Sequence, residues 1–100
     1  MGLQAISINE LDIYRKRPNT VLVDLRTRDE YRMYHLEGAI NIPYEEMETK
    51  KWNLPKNKSY IMYCERGGSS LLAAKELSRE GYQVYSVIGG IQAQKEKHLN

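Results

Sequence analysis

The chain has 100 residues, 41% of them hydrophobic, with 15 Lys and Arg against 13 Asp and Glu. A chain of this length buries about 60–68% of the surface its unfolded form exposes, which predicts one core and one domain over residues 1–100. The net charge of +2 is small and scattered, so neither nucleic-acid nor membrane-surface binding is expected.

The predicted elements alternate in type along the chain. Ser7-Ile8-Asn9-Glu10 forms a capping box that opens a short helix carrying Leu11 and Tyr14, and Pro18 ends it. Residues 20–25 (Thr-Val-Leu-Val-Asp-Leu) are an apolar, partly β-branched run without alternation, the signature of a strand buried on both faces. Thr27-Arg28-Asp29-Glu30 is a second capping box, starting a helix to about Tyr34. Residues 39–42 read as a strand stopped by Pro43. Residues 44–58 read as a short helix plus loop, tacked to the core by Trp52 and Leu54. Tyr60 to Tyr63 is a third central strand. From Ser70 to Glu80, Leu71, Ala74 and Leu77 mark the buried face of a helix that Gly81 stops in a left-handed conformation. Residues 84–88 make the next strand, Gly89-Gly90 a tight turn, and 91–98 a last helix. Strands alternating with helices predict an α/β domain, with a central, mainly parallel sheet of about five strands flanked by helices in three layers.

Mean hydropathy is −0.66 and no apolar run approaches the ~20 residues of a membrane span. The first residues lack the basic start and apolar stretch of a signal peptide, which predicts a cytoplasmic protein. A lone cysteine, Cys64, excludes an internal disulfide and a multi-cysteine zinc site, and with only His35 and His98 no metal is expected.

Cys64 is placed where the apolar strand 60–63 ends. Glu65-Arg66-Gly67-Gly68-Ser69-Ser70 and a helix follow it. The carboxyl end of a strand facing a helix N-terminus is where open α/β sheets bind ligands. Glycines allow successive amides to point into one concavity, and the helix terminus adds partial positive charge there. Such a field favours the thiolate, which is the nucleophile. One loop thus offers an attacking group and a cradle for negative charge. The competing reading is a small buried hydrophobe beside an ordinary turn, and composition does not separate the two.

The segment Cys64-Glu65-Arg66-Gly67-Gly68-Ser69-Ser70 resembles the active loop of the rhodanese family, C-x-x-G-x-[RS]-S. Asp24-Leu25-Arg26 with Glu30-Tyr31 is similar to the family's D-[VL]-R…E-[YF]. Residues 35–43, from His35 to Pro43, are similar to its H-[IL]-x-G-A-x-N-[IL]-P. Val87-Ile88-Gly89-Gly90-Ile91 resembles its closing strand and Gly-Gly turn. Ser69 departs from the pattern, because many members carry arginine at that place. Tyr34 and Gln94 also depart, standing where glycine and an aromatic residue are usual.

The resemblance implies a sulfurtransferase that needs no cofactor. Cys64 would take a sulfane sulfur from a small sulfur-containing anion such as thiosulfate, hold it as a persulfide, and pass it to cyanide or a thiol. A sulfur-relay protein is the expected cellular partner. Amides of residues 65–69 would hold the charge, Arg66 would attract an anionic donor and Glu65 would oppose it. With Gly67, Gly68 and Ser69 these form the expected substrate loop, supported by Asp24, Arg26 and Ser70. Asp24 and Arg26 read first as an ion pair at the cleft edge, and His35 as structural rather than as a base for Cys64. Two other readings remain: a non-enzymatic docking or sulfur-carrier module, and a cysteine-loop phosphatase. The phosphatase pattern needs arginine six places after the cysteine, where this chain has Ser70.

Overall fold

The computed structural model of the chain describes residues 2–49 and 53–99, the side chains of 48, 49 and 96–99 excepted. Strands and helices alternate throughout: β1 (Gly2–Ile6), α1 (Ile8–Arg15), β2 (Thr20–Asp24), α2 (Arg28–Met33), β3 (Ile40–Asn41), α3 (Tyr44–Thr49), β4 (Ser59–Tyr63), α4 (Gly68–Arg79), β5 (Gln83–Val87) and α5 (Gly90–Leu99). The five strands form one sheet in the order β1-β5-β4-β2-β3, and every neighbouring pair is parallel.

Side chains alternate across a strand, and here both faces are covered. On β4, Tyr60 and Met62 point to one layer, where they meet Ala73, Ala74 and Leu77 of α4 and Met47 of α3. Ile61 and Tyr63 point to the other, against Leu11 of α1 and Ile91 of α5, with Tyr31 of α2 packed at its margin. The absence of polar alternation in the central strands follows directly.

Both capping boxes form. The Ser7 hydroxyl accepts from the Glu10 amide at 3.2 Å while the Glu10 carboxylate accepts from the Ser7 amide at 2.9 Å. Thr27 and Glu30 exchange the same pair at 3.2 and 3.1 Å. Gly81 ends α4 with φ +95°, and the Tyr82 amide returns to the Leu77 carbonyl at 3.1 Å. Leu54 packs on the core, whereas Trp52 lies outside the described residues.

Two expectations are corrected, and one strand is added to those expected. Gly2–Ile6 is a strand, β1, registered along β5 from Gly2↔Gln83 to Ile6↔Val87. Leu71 is 39% exposed, because the buried face of α4 runs through Ser70, Ala73, Ala74 and Leu77. That helix also begins at Gly68 rather than Ser70, so the second half of the cysteine loop is already helical.

Candidate active site

After β2 the chain crosses outward to β3, and after β4 it crosses the other way to β5. The two connections diverge above the carboxyl ends of adjacent strands, and such a reversal leaves a crevice there. Cys64 follows the last residue of β4, and Asp24 is the last residue of β2. The Leu25 amide donates to the Tyr63 carbonyl at 2.9 Å, extending the pairing to the floor of the crevice.

The loop turns at Gly67, whose φ of +103° belongs to the left-handed region. A Cβ on Gly67 would sit 3.2 Å from the Gly89 amide nitrogen, so bulk is excluded there as well. This turn aims the Gly67 amide at Cys64 Sγ, at 3.0 Å, and the Ser70 amide reaches the same sulfur at 3.5 Å. Ser70 Oγ lies 3.7 Å from the sulfur and itself donates to the Gly67 carbonyl at 3.1 Å. Of the amides expected over 65–69, Gly67 carries the contact, joined by Ser70 from just outside that range.

The underside of the loop is held by α5. The Ile91 amide donates to the Cys64 carbonyl at 2.9 Å, and the Gln92 amide to the Glu65 carbonyl at 3.1 Å. The Gly89-Gly90 turn is what brings these amides in.

Cys64 is buried to 6% exposure at the base of a cleft of about 360 Å³. Glu65, Ser69, Arg26 and Arg28 are among its lining residues, together with Pro43 and Tyr44. Sequence reasoning missed Arg28, which pairs with Glu46 at 2.5 Å. Its place as second residue of a capping box gave no hint of the cleft.

Asp24 and Arg26 make a buried ion pair. Arg26 Nη2 lies 2.9 Å from Asp24 Oδ2, and the Arg26 amide donates to Oδ1 at 2.8 Å. Tyr63 donates its hydroxyl to Asp24 Oδ2 at 2.5 Å and accepts from the Leu36 amide at 3.1 Å. Arg26 also donates to the Tyr34 carbonyl and approaches Glu65 Oε1 at 3.6 Å. Burial alone would pull the Arg26 pKa down, but its bonds and charges with Asp24, Tyr63 and Glu65 outweigh it and hold the group above its ordinary value. Burial, then the bond to Asp24, pushes the Tyr63 phenol well up.

Arg66 departs from expectation. It is exposed on the outer side of the loop, beside Gly89, Gln92 and Ala93, and does not line the Cys64 cleft. Gly68 is exposed, with open space around its Cα. His35 stacks on Tyr31 at 3.8 Å and its Nδ1 bonds the Tyr31 carbonyl at 2.8 Å, which ties the ring to α2.

The family model of the rhodanese-like domain matches residues 7–97. The chain belongs to this family. Among solved structures, the rhodanese-like domain superposes on a rhodanese-related protein of Thermoplasma volcanium with a TM-score of 0.80 at 30% identity, covering 94% of this chain and 92% of that one. A rhodanese-like domain protein of Staphylococcus aureus gives 0.79 at 26% identity, covering 90% and 89%. The thiosulfate sulfurtransferase GlpE of Coxiella burnetii is 31% identical over 84 residues, 83% of this chain and 78% of that protein. The tRNA sulfurtransferase of Desulfurococcus amylolyticus is 37% identical over 73 residues, 73% of this chain but 14% of that protein. The chain thus spans about one seventh of that longer relative. No helix among the described residues is long and apolar enough to cross a membrane.

Proposed function

We propose that this rhodanese-like domain is a sulfurtransferase in which Cys64 carries the transferred atom. The Cys64 thiolate attacks the outer, sulfane sulfur of a donor such as thiosulfate. A new S–S bond forms on Cys64, the donor's S–S bond breaks, and sulfite leaves with the electron pair. An acceptor nucleophile, cyanide or a thiol, then attacks the outer sulfur of the persulfide. The electron pair of the broken bond returns to Cys64 Sγ, so the two displacements balance without a redox partner, and the kinetics are ping-pong. In the cell the acceptor is a thiol, delivered by a sulfur-relay protein.

The observation that carries this reading is the pair of amides on the sulfur, Gly67 at 3.0 Å and Ser70 at 3.5 Å, at the foot of an open cleft. Preorganised amide donors stabilise negative charge on the atom they face without reorganising during the reaction. The names of the two sulfurtransferase relatives support the same chemistry. Intact-mass measurement tests it. Incubation with thiosulfate is expected to add one sulfur atom to the chain, and cyanide to remove it. A chain that never gains sulfur refutes the proposal.

A further inference from the structure

The cleft is built with two opposite electrostatic characters. At its base, two amides and the N-terminus of the twelve-residue helix α4 face Cys64 Sγ. That is enough to stabilise one negative charge on one sulfur. Around its walls the balance is reversed. Among the described lining residues, two arginines, Arg26 and Arg28, stand against three glutamates, Glu30, Glu45 and Glu65. Neither arginine is uncommitted. Arg26 is paired with Asp24 in full burial, and Arg28 with Glu46. Ser69 supplies no charge.

Glu65 is the decisive wall residue, since it adjoins Cys64 in the chain and its side chain keeps 35% of its exposure. Its carboxylate is fixed from two sides, by Arg26 Nη1 at 3.6 Å and by a hydrogen bond from Gln92 Nε2. The Arg26 guanidinium already answers Asp24, so one cation serves two carboxylates and leaves a surplus of negative charge at the cleft mouth. An incoming dianion meets that surplus before it reaches the amides.

We infer that this site selects sulfane donors of low negative charge, organic persulfides above all, and that Glu65 is the residue setting the selectivity. The inference rests on the sulfurtransferase reading and names its donor class. The step balances as before. The Cys64 thiolate attacks the terminal sulfur of R–S–SH, the S–S bond of the donor breaks, and the thiolate R–S⁻ departs with the electron pair. The transferred sulfur keeps its proton.

Two persulfides that share the reacting bond and differ at the far end isolate the charge effect. Cysteamine persulfide carries an ammonium, and 3-mercaptopropionate persulfide a carboxylate. Sulfur gain on Cys64, followed by mass at low ionic strength, is expected to be about fivefold faster from the ammonium donor, a ratio that shrinks as salt is raised. Glu65→Gln is expected to reduce the ratio and to speed reaction with thiosulfate about threefold. The ratio and its salt dependence in the unaltered protein stand even if the variant does not fold. A ratio of one or less, or one that grows with salt, overturns the inference. A ratio unchanged in folded Glu65→Gln overturns the role of Glu65. Failure of Cys64 to gain sulfur from any donor instead overturns the sulfurtransferase reading, and this inference with it.

Discussion

Gly90 packs directly onto the backbone of Cys64: a Cβ at position 90 would lie 2.3 Å from the Cys64 carbonyl oxygen. It would also stand 2.7 Å from the Glu65 oxygen, and φ at Gly90 is +59°. Those neighbours are main-chain atoms, which cannot swing away as a side-chain tip can. The contact lets the first amides of α5 reach the Cys64 and Glu65 carbonyls, so the height of the sulfur in its cleft depends on a glycine far along the chain.

Gly90→Ala is therefore expected to cost about 2–4 kcal/mol of folding stability and to slow sulfur transfer by displacing the loop. Gly68→Ala is the contrast. That position has open space and no positive φ, so alanine at the start of α4 is expected to be neutral or to add about 0.5 kcal/mol. Denaturant titration of the two variants checks both. Equal effects would disprove the proposed contact with Cys64.

Cys64→Ser is expected to abolish sulfur gain from thiosulfate and thiocyanate formation, because Cys64 is the only cysteine in the chain. The fold is expected to persist, since serine keeps the shape of a side chain that shares its core cluster with Ala73 and Met62. Circular dichroism and intact mass separate the two effects. Residual transfer by a folded variant would refute the mechanism.

The buried Asp24–Arg26–Tyr63 group predicts two responses. Asp24→Asn removes the carboxylate that holds Arg26, and breaking one side of a buried pair costs about 3–5 kcal/mol. The Tyr63 phenol holds its proton more tightly in the folded chain than in the unfolded one, because it is buried and donates to Asp24. Stability from that group is complete below the ordinary phenol value of 10 and is lost as pH rises above it. Tyr63→Phe is expected to lower stability near neutral pH by about 1–2 kcal/mol, and to flatten the decline above pH 10. An alkaline decline unchanged in Tyr63→Phe would place its origin elsewhere, for instance at Tyr60, whose pKa burial also raises.

The fold was legible where the signals were local. Capping boxes at Ser7 and Thr27, Gly81 as a stop, and apolar runs in β2, β4 and β5 each identify an element from within a few residues. What depended on distant partners was not legible. β1 has exposed Gln4 and Ala5 and a single β-branched residue, and it is a strand because β5 pairs with it from the far end of the chain. On α4, the helical period fits both Leu71 and Ala73. The sheet selects the smaller residues because α4 lies close against β4 and β5. In the site, adjacency to Cys64 favoured Arg66, but the left-handed turn at Gly67 follows it and leaves Arg66 outside. Arg28 enters from β2's side of the crevice, a proximity created only by the sheet order.

Ser69 offers the means to separate sulfur from phosphate chemistry. It lines the cleft from the first turn of α4, while Ser70, six places after the cysteine, is fully buried with its hydroxyl on Gly67 and Ser86. A phosphoryl dianion needs a planar cation to grip its oxygens with paired hydrogen bonds, and neither serine supplies one. Arg66 cannot substitute, since it faces away from the cleft. The Cys64 thiolate carries one negative charge, on the sulfur that the Gly67 and Ser70 amides face. No turnover of aryl phosphates is therefore expected. Ser69→Arg would add a cation at the wall that Glu30, Glu45 and Glu65 now dominate, and is expected to lower the KM for thiosulfate about five- to tenfold without creating phosphatase activity. Steady-state assays with thiosulfate and with an aryl phosphate measure both arms. Aryl phosphate hydrolysis by the unaltered chain that disappears in Cys64→Ser would overturn the sulfurtransferase reading.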